Sequence, residues 1–278
     1  MVPFWHIDGT NASDYGTERR QAWHQPVPFE AKALVRLIRR VLAWVVTGQS
    51  RRRSAAIAST LLNVDQHEHR ETGSVSAAQA AEWDARYSEG EGARWSGRPN
   101  GRLVAEVASL TPGRALDVGC GEGADAIWLA RRGWTVTAID VSDVALIRAQ
   151  EAAELAGAVV EWVRGDALQT PFPAGSFDLV SMQYPALPKA AGEAPMRALL
   201  GTVRLGGLLL AVYHDLNDEH REHIKSQGID PADYVDAGDL ARLLEDEFTI
   251  ELQAVEPRID PPPDHRHIAD VVLRARRR

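Results

Sequence analysis

The chain has only one cysteine, Cys120, among its 278 residues. A single cysteine forms no intrachain disulfide, which excludes the disulfide-stapled secreted class and predicts a reducing compartment. No stretch approaches the roughly 18 unbroken apolar residues of a membrane span. The first residues also lack the basic and then apolar order of a secretory signal. We therefore expect a cytoplasmic protein without a transmembrane segment.

A surplus of positive charge is lacking as well, because the net charge is −8, which argues against a dedicated nucleic-acid binder. The exception is residues 1–70, which hold ten basic and six acidic residues. Within them, residues 31–46 have helical periodicity, with an apolar face and an arginine-rich face. This helix either packs on the rest of the chain or contacts a membrane surface peripherally, and we favour packing. We assign residues 1–75 to a partly disordered N-terminal extension.

From Ser76 onward, strand-like and helix-like segments alternate. The predicted strands begin at "ALDV", "TVTAID", "VVEWVRGD", "FDLVSM", "GGLLLAVYHD", "FTIELQAV" and "IADVVLRAR". Helical segments separate most of them, as in a doubly wound parallel sheet, but no helix lies between the last two strands. Residues 76–278 are therefore predicted to form an α/β domain. It has a Rossmann-like, mostly parallel seven-stranded sheet and an antiparallel C-terminal hairpin at its edge.

A glycine-rich loop follows the first predicted strand, in "ALDVGCGEGAD" at residues 115–125. Gly119, Gly121 and Gly123 let the backbone approach a ligand closely, as residues with a Cβ would not. With Ala124 they also match the dinucleotide pattern G-x-G-x-x-[G/A]. The glycines alone leave open whether the ligand is a dinucleotide or another adenosine-bearing cofactor.

Acidic residues at three consecutive strand ends bear on that choice. Asp117 ends the first strand, Asp140 the second and Asp166 the third, and Glu122 lies inside the loop. Ligands of such sheets bind at the carboxyl ends of the strands. Added carboxylates would repel a pyrophosphate. S-adenosylmethionine carries a sulfonium and an ammonium and no phosphate, so carboxylates suit it. Asp140 is placed to bind ribose hydroxyls, and Asp166 to accept from an adenine amino group.

These segments in order, with "RGDALQTPFPAGSFDLV" and "GGLLLAV", resemble the class I S-adenosylmethionine-dependent methyltransferases over about residues 80–275. The resemblance implies that Asp117–Gly123 surrounds the methionine part of the cofactor, with Asp140 at the ribose and Asp166 at the adenine. The predicted cofactor-binding residues are Asp117, Gly119, Cys120, Gly121, Gly123, Asp140, Val141, Asp166, Ala167, Gln183, Trp95 and Asn100.

Residues 83–100 resemble the segment that precedes this loop in a small-molecule branch related to tellurite-resistance and thiopurine methyltransferases. That likeness implies that Trp83, Tyr87, Trp95 and Asn100 cover the cofactor, although the two tryptophans could instead pack in the core. Leu205 stands where the family usually has proline before a glycine pair, and the N-terminal extension has no counterpart in compact members.

The acceptor is expected to be a small molecule with a thiol, oxyanion, oxygen or nitrogen nucleophile, methylated by in-line displacement. The paired-proline motif of DNA-base and protein-glutamine methyltransferases is absent after the fourth strand, which reads "MQYPAL". His214 and Tyr184 are the candidate catalytic residues, as proton acceptor or substrate contact.

The histidine-rich segments fit no strong metal-ligand pattern, so no metal site is predicted. Two alternatives remain: an NAD(P)-dependent oxidoreductase and a non-catalytic cofactor-binding regulator. The acceptor's identity, the need for a general base and the oligomeric state are left open.

Overall fold

The computed structural model describes residues 70–71, 77–89, 93–226, 228–259 and 268–278. All of these lie in one unit that spans His67–Arg278. The amphipathic segment predicted at residues 31–46 and the histidines near residues 67–69 and 265–267 lie outside the described residues. Within the described ranges, none of the helices has the length and apolar character needed to cross a bilayer.

Helices and strands alternate along most of the described chain. In order they are β1 (Arg70–Glu71), α1 (Ala77–Ser88), α2 (Gly101–Val107), β2 (Arg114–Val118), α3 (Ala124–Arg131), β3 (Thr135–Asp140), α4 (Asp143–Ala156), β4 (Glu161–Arg164), β5 (Phe177–Gln183), α5 (Glu193–Leu200), β6 (Val203–His214), α6 (Asp218–Ser226), α7 (Ala237–Leu244), β7 (Phe248–Pro257) and β8 (Ala269–Arg277). Short 3-10 turns occur at Lys189–Ala191 and Pro231–Asp233.

Local sequence explains where the helices around the sheet begin and end. Ser142 caps α4 by accepting a hydrogen bond from the backbone N–H of Ala145, and Gly157 ends it in the left-handed conformation. Asp236 and Asp239 form a capping box at the start of α7. The boundaries predicted for α4 from these residues are confirmed.

The strands form one sheet in the order β1-β4-β3-β2-β5-β6-β8-β7. Strands β1 to β6 pair in parallel, and β8 runs antiparallel to both β6 and β7. The predicted Rossmann-like sheet with an antiparallel C-terminal hairpin is confirmed, and the two-residue β1 is an additional edge strand. The order reverses at β2, which places a switch point between the carboxyl ends of β2 and β5.

Apolar layers cover both faces of this sheet, as a doubly wound fold requires. The inner strands are apolar on both faces, with Leu116, Leu179 and Leu209 fully buried. Helix α6 was not predicted because it has no apolar stripe, and none of its residues is buried.

Candidate active site

The glycine loop turns over the carboxyl end of β3. The backbone N–H groups of Gly119 and Cys120 both donate to the carbonyl of Ile139, at 2.9 and 3.1 Å. Gly119, Gly121 and Gly123 have φ values of +70°, +52° and +80°, which side-chain-bearing residues rarely adopt. The loop conformation is therefore specific to glycine at these alternate positions.

The first and last of these glycines face different surroundings. A Cβ on Gly123 would lie 2.6 Å from the ring of Trp162 and 2.8 Å from the Cβ of Ala149, so this glycine permits close helix packing. A Cβ on Gly119 would meet no described atom within 4 Å. Gly119 thus presents bare backbone to open space at the end of β2.

Three buried carboxylates, Asp117, Asp125 and Asp140, surround the base of this loop. Burial, followed by repulsion from Asp125 and Asp140, raises the pKa of Asp117 well above its usual value. In the described part of the chain, Oδ2 of Asp117 is buried without a hydrogen-bond partner. A buried carboxylate oxygen in this state is costly unless a cation or donor meets it.

Asp140 lies at the end of β3, as predicted, and binds the loop directly. Its two oxygens accept hydrogen bonds from the backbone N–H groups of Gly121, at 2.8 Å, and Ser142, at 2.9 Å. Burial raises the pKa of Asp140, and these backbone donors oppose the rise. The backbone of Val141 is a third donor, so the four lone pairs of the carboxylate retain capacity for one further donor. Val141 follows it and is partly buried.

Asp166 and Ala167 are both buried just beyond β4. Asp166 accepts from the backbone N–H of Leu168 at 2.8 Å and from Nε2 of Gln169 at 2.9 Å. The backbone N–H of Gly165 donates to the carbonyl of Asp140 at 3.0 Å, which brings the ends of β3 and β4 together.

Gln183, at the end of β5, is also buried. Its Nε2 donates to Oγ of Ser181 at 3.1 Å, while its Oε1 has no hydrogen-bond partner within the described ranges.

Cys120 lies in the glycine loop. Burial, and then the charges of Asp140 and Asp117, raise the pKa of its thiol well above the usual range. The thiol is therefore protonated at neutral pH and is not an activated nucleophile.

The segment Arg94–Asn100, called the strap below, is fastened to the glycine loop and the start of α3 by two carboxylates. Glu122 accepts from the backbone N–H groups of Arg94, at 2.9 Å, and Trp95, at 3.0 Å, and pairs with Arg148 at 2.8 Å. We predicted that Glu122 contributes to the field around a cationic ligand. The structure gives it another role, because its oxygens are engaged by the strap and by Arg148.

Asp125 fastens the other end of the strap. Its oxygens accept from the backbone N–H of Asn100, at 2.6 Å, and from Nδ2 of the same residue, at 2.9 Å. Asn100 was predicted to bind the cofactor, which stays a prediction, and its side-chain amide donates to this carboxylate. Sequence reasoning missed Asp125, although its place in the first turn of the helix after the glycine loop was a usable signal.

The aromatic residues predicted to cover the cofactor do lie near the glycine loop. Nε1 of Trp95 donates to the hydroxyl of Tyr87 at 3.4 Å, and a Cβ on Gly121 would lie 2.7 Å from that hydroxyl. Tyr87 is buried, whereas Trp95 is 54% exposed and is not a core residue. Trp83 lies one turn before Tyr87 in α1, and the centroids of the two rings are 6.2 Å apart.

The two candidate catalytic residues meet beyond the ends of β5 and β6. The rings of Tyr184 and His214 are stacked, with centroids 4.1 Å apart and planes at 17°. The hydroxyl of Tyr184 donates to Oδ1 of Asp270 at 2.9 Å, and the guanidinium carbon of Arg258 lies 5.1 Å from the centre of the Tyr184 ring. Burial, and then Asp270, raise the pKa of Tyr184. Sequence reasoning missed Asp270 and Arg258, which come from β8 and the end of β7.

No group of three or more potential metal ligands occurs within the described ranges. The candidate site has two parts. One is the glycine loop, which is lined by carboxyl groups, and the other is the stack of Tyr184 on His214. The glycine loop follows β2 and Tyr184 follows β5, and these two strands pair in parallel, so the two parts adjoin at the carboxyl edge of the sheet.

Comparison with known proteins shows which domains and folds this chain is similar to. Residues 115–207 match the family model described as a methyltransferase domain. Nocamycin O-methyltransferase of Saccharothrix syringae is 38% identical over 106 residues, which cover 34% of this chain and 38% of that protein. An uncharacterized methyltransferase of Mycobacterium tuberculosis is 36% identical over 110 residues, covering 40% of this chain and 55% of that one. The chain thus spans about two fifths to just over half the length of these two relatives.

Solved structures agree with the fold. A structure titled "Conversion of a Disulfide Bond into a Thioacetal Group during Echinomycin Biosynthesis" has a TM-score of 0.57 and 25% identity, over 72% of this chain and 91% of that one. The magnesium protoporphyrin IX methyltransferase of Synechocystis PCC 6803 with bound SAH has a TM-score of 0.51 and 19% identity, over 73% and 95% of the two chains. The likeness to the second shows the fold alone. The family model, these relatives and the fold together show that residues 115–207 form a methyltransferase domain of the S-adenosylmethionine-dependent type.

Proposed function

We propose that this protein transfers a methyl group from S-adenosylmethionine to a small-molecule acceptor. The observation that carries the proposal is the buried Oδ2 of Asp117, which has no described partner and belongs to the residue two positions before the open backbone of Gly119. S-adenosylmethionine is the cofactor of the family, and its cationic end suits this carboxylate. A pyrophosphate would instead meet three buried carboxyl groups, Asp117, Asp125 and Asp140, whose ionised forms repel it.

The residues present fit the parts of that cofactor in order along the sheet edge. Asp117 and the loop backbone would hold the amino-acid end, and Asp140 would accept from a ribose hydroxyl with its remaining lone pair. Asp166 and Ala167 would meet the adenine at the end of β4. The exposed indole of Trp95, held by the strap, would cover the bound molecule from solvent.

When bound, the cofactor supplies a methyl carbon on a sulfonium leaving group. The protein's part is to hold the acceptor in line and, for a protonated nucleophile, to take its proton. His214 is the proposed proton acceptor, and the Tyr184 ring stacked on it forms part of the acceptor wall. The similar nocamycin O-methyltransferase is named for methylation of an oxygen of nocamycin, which supports a small molecule with an oxygen nucleophile as the acceptor here.

The test is a screen for S-adenosylhomocysteine release against thiols, phenols, amines and metalloid oxyanions. We expect turnover with at least one class, and we expect Asp140→Asn to raise KM for S-adenosylmethionine about tenfold or more, equivalent to about 1.4 kcal/mol. Asp218→Asn, on the exposed helix α6, is the matched control and should leave KM unchanged. Turnover that is equal in Asp140→Asn and the control would contradict the assigned site.

The boundary between an extension over residues 1–75 and a methyltransferase domain over residues 76–278 stays a prediction. A variant that begins at His67 retains the whole unit to which the described residues belong. We expect it to keep S-adenosylhomocysteine release. If the full chain binds liposomes and this variant does not, the result would support the membrane-surface alternative for residues 31–46.

A further inference from the structure

Tyr184 has a backbone conformation that its residue type disfavours. Its φ is +53°, and it is the only non-glycine residue with positive φ among those that the structure describes. This region is strained for a bulky side chain, and such residues persist only where surrounding contacts enforce them. The position directly follows β5, at the switch point of the sheet.

Two contacts restrain Tyr184: its backbone N–H donates to the carbonyl of Val212 at 2.8 Å, and Asp270 holds the far end of its side chain. Asp270 comes from β8, is 1% exposed, and accepts the hydrogen bond of the Tyr184 hydroxyl at 2.9 Å. It lies opposite His214 in the antiparallel register of β6 and β8. A hydrogen bond to a buried carboxylate is among the stronger individual contacts in a protein.

The stack transmits this restraint to His214. With the tyrosine hydroxyl held at Asp270, the phenol ring lies nearly parallel to the imidazole, 4.1 Å away. We propose that Asp270 is a positioning residue of the acceptor side: it holds the ring of Tyr184 by its hydroxyl, so that the ring fixes the imidazole of His214 at the carboxyl end of β6.

This inference rests on the proposed function and narrows the acceptor class. The Tyr184 hydroxyl donates to Asp270, and we assign proton acceptance to the imidazole stacked on the Tyr184 ring. A fixed imidazole is useful for an acceptor whose nucleophile carries a proton, namely a hydroxyl or an amine. In this step the acceptor's O–H or N–H bond would break and its proton would move to the imidazole. The electron pair left on the acceptor would form the bond to the methyl carbon, while the bond from that carbon to sulfur breaks and S-adenosylhomocysteine leaves.

The first test needs no acceptor. His214 is labelled with diethylpyrocarbonate in the full chain, and mass spectrometry measures its rate against His220 of α6 in the same protein. We expect Tyr184→Phe and Asp270→Ala each to raise the His214 rate severalfold and to leave the His220 rate unchanged. The double variant should be no faster than the faster single variant, because both changes remove the same contact.

Additive effects of the two changes, or an unchanged His214 rate in Tyr184→Phe, would overturn the proposal. Tyr184→Phe removes one oxygen and keeps the ring, so it carries the test even where Asp270→Ala unfolds the protein. Asp270→Asn retains a side-chain oxygen that can accept from the hydroxyl, and a His214 rate nearer to wild type than that of Asp270→Ala is the expected rescue.

The second test separates this inference from the proposed function. Titration with S-adenosylhomocysteine should give wild-type affinity for Tyr184→Phe, since the contact lies on the acceptor side. In turnover, the variant should lose kcat with hydroxyl or amine acceptors and keep its KM for S-adenosylmethionine. Wild-type protein that fails to bind S-adenosylhomocysteine would contradict the proposed function, whereas intact binding with unchanged labelling would contradict only the role of Asp270.

Discussion

Replacing Gly119 with alanine tests whether the glycine loop binds the cofactor, separately from the effect of the change on the free energy of unfolding. The backbone there has φ +70°, and an alanine in the left-handed region costs about 1–2 kcal/mol. The lower entropy of the unfolded chain offsets about 0.4–1 kcal/mol of this. Because a Cβ would meet no described atom within 4 Å, no clash is added. The net loss in the free energy of unfolding should therefore be about 1 kcal/mol.

Gly157 offers a matched control at the C-terminus of α4. Its φ is +63°, and a Cβ there would also meet no described atom within 4 Å. Gly157→Ala should lower the free energy of unfolding by a similar amount, about 1 kcal/mol, for the same backbone reason. Only the methyl added at Gly119 would project where the cofactor is proposed to bind.

The assay pairs urea unfolding with calorimetric titration of S-adenosylhomocysteine. We expect Gly119→Ala to weaken binding about tenfold or more, about 1.4 kcal/mol, and Gly157→Ala to leave it unchanged. Gly123→Ala should lose more stability, about 2–4 kcal/mol, since overpacking against Trp162 adds to the backbone cost. The reasoning is refuted if Gly119→Ala binds like wild type, or if Gly157→Ala weakens binding equally.

Three further changes probe the carboxylates around the loop. Burial raises the folded-state pKa of Asp117 above its unfolded value of 3.8, so its stabilising contribution is complete below pH 3.8 and is lost as the pH rises through the folded pKa. Asp117→Asn should therefore gain stability over cofactor-free wild type as the pH rises from 3 to 8 in urea titrations, and a pH-independent difference would count against this. Asn100→Ala, which removes one of the two donors to Asp125, should lower the free energy of unfolding by about 1.5–3 kcal/mol, and an unchanged urea midpoint would be inconsistent with it. Glu122→Ala should speed S-adenosylhomocysteine dissociation in stopped-flow experiments, whereas Glu89→Ala, which removes an exposed partner of the strap, should not; equal rates in both would show that the strap does not retain the ligand.

The sheet and the positions of its strand ends could be predicted because they follow from short-range patterns. Apolar runs that end in Asp117 and Asp140, each followed by a helix-start signal, are enough to place both carboxylates at one sheet edge. Ser142 and Gly157 mark their helix ends by residue type alone. These features depend on a few neighbouring residues.

The roles of other carboxylates could not be predicted because they depend on distant partners. Glu122 lies among the glycines, yet its orientation is set by Arg94 and Arg148, which are 28 and 26 residues away in sequence. Asp270 accepts from a tyrosine 86 residues earlier in the chain. In the sequence it is one polar residue in an otherwise ordinary β-strand, and only the register of β6 and β8 places it beneath the stack.

Equilibrium titration of the full chain with S-adenosylhomocysteine and, separately, with NADH tests the central claim most directly. The loop's buried carboxylates predict micromolar binding of S-adenosylhomocysteine and no measurable binding of the pyrophosphate-containing dinucleotide. Binding of NADH without binding of S-adenosylhomocysteine would contradict the account.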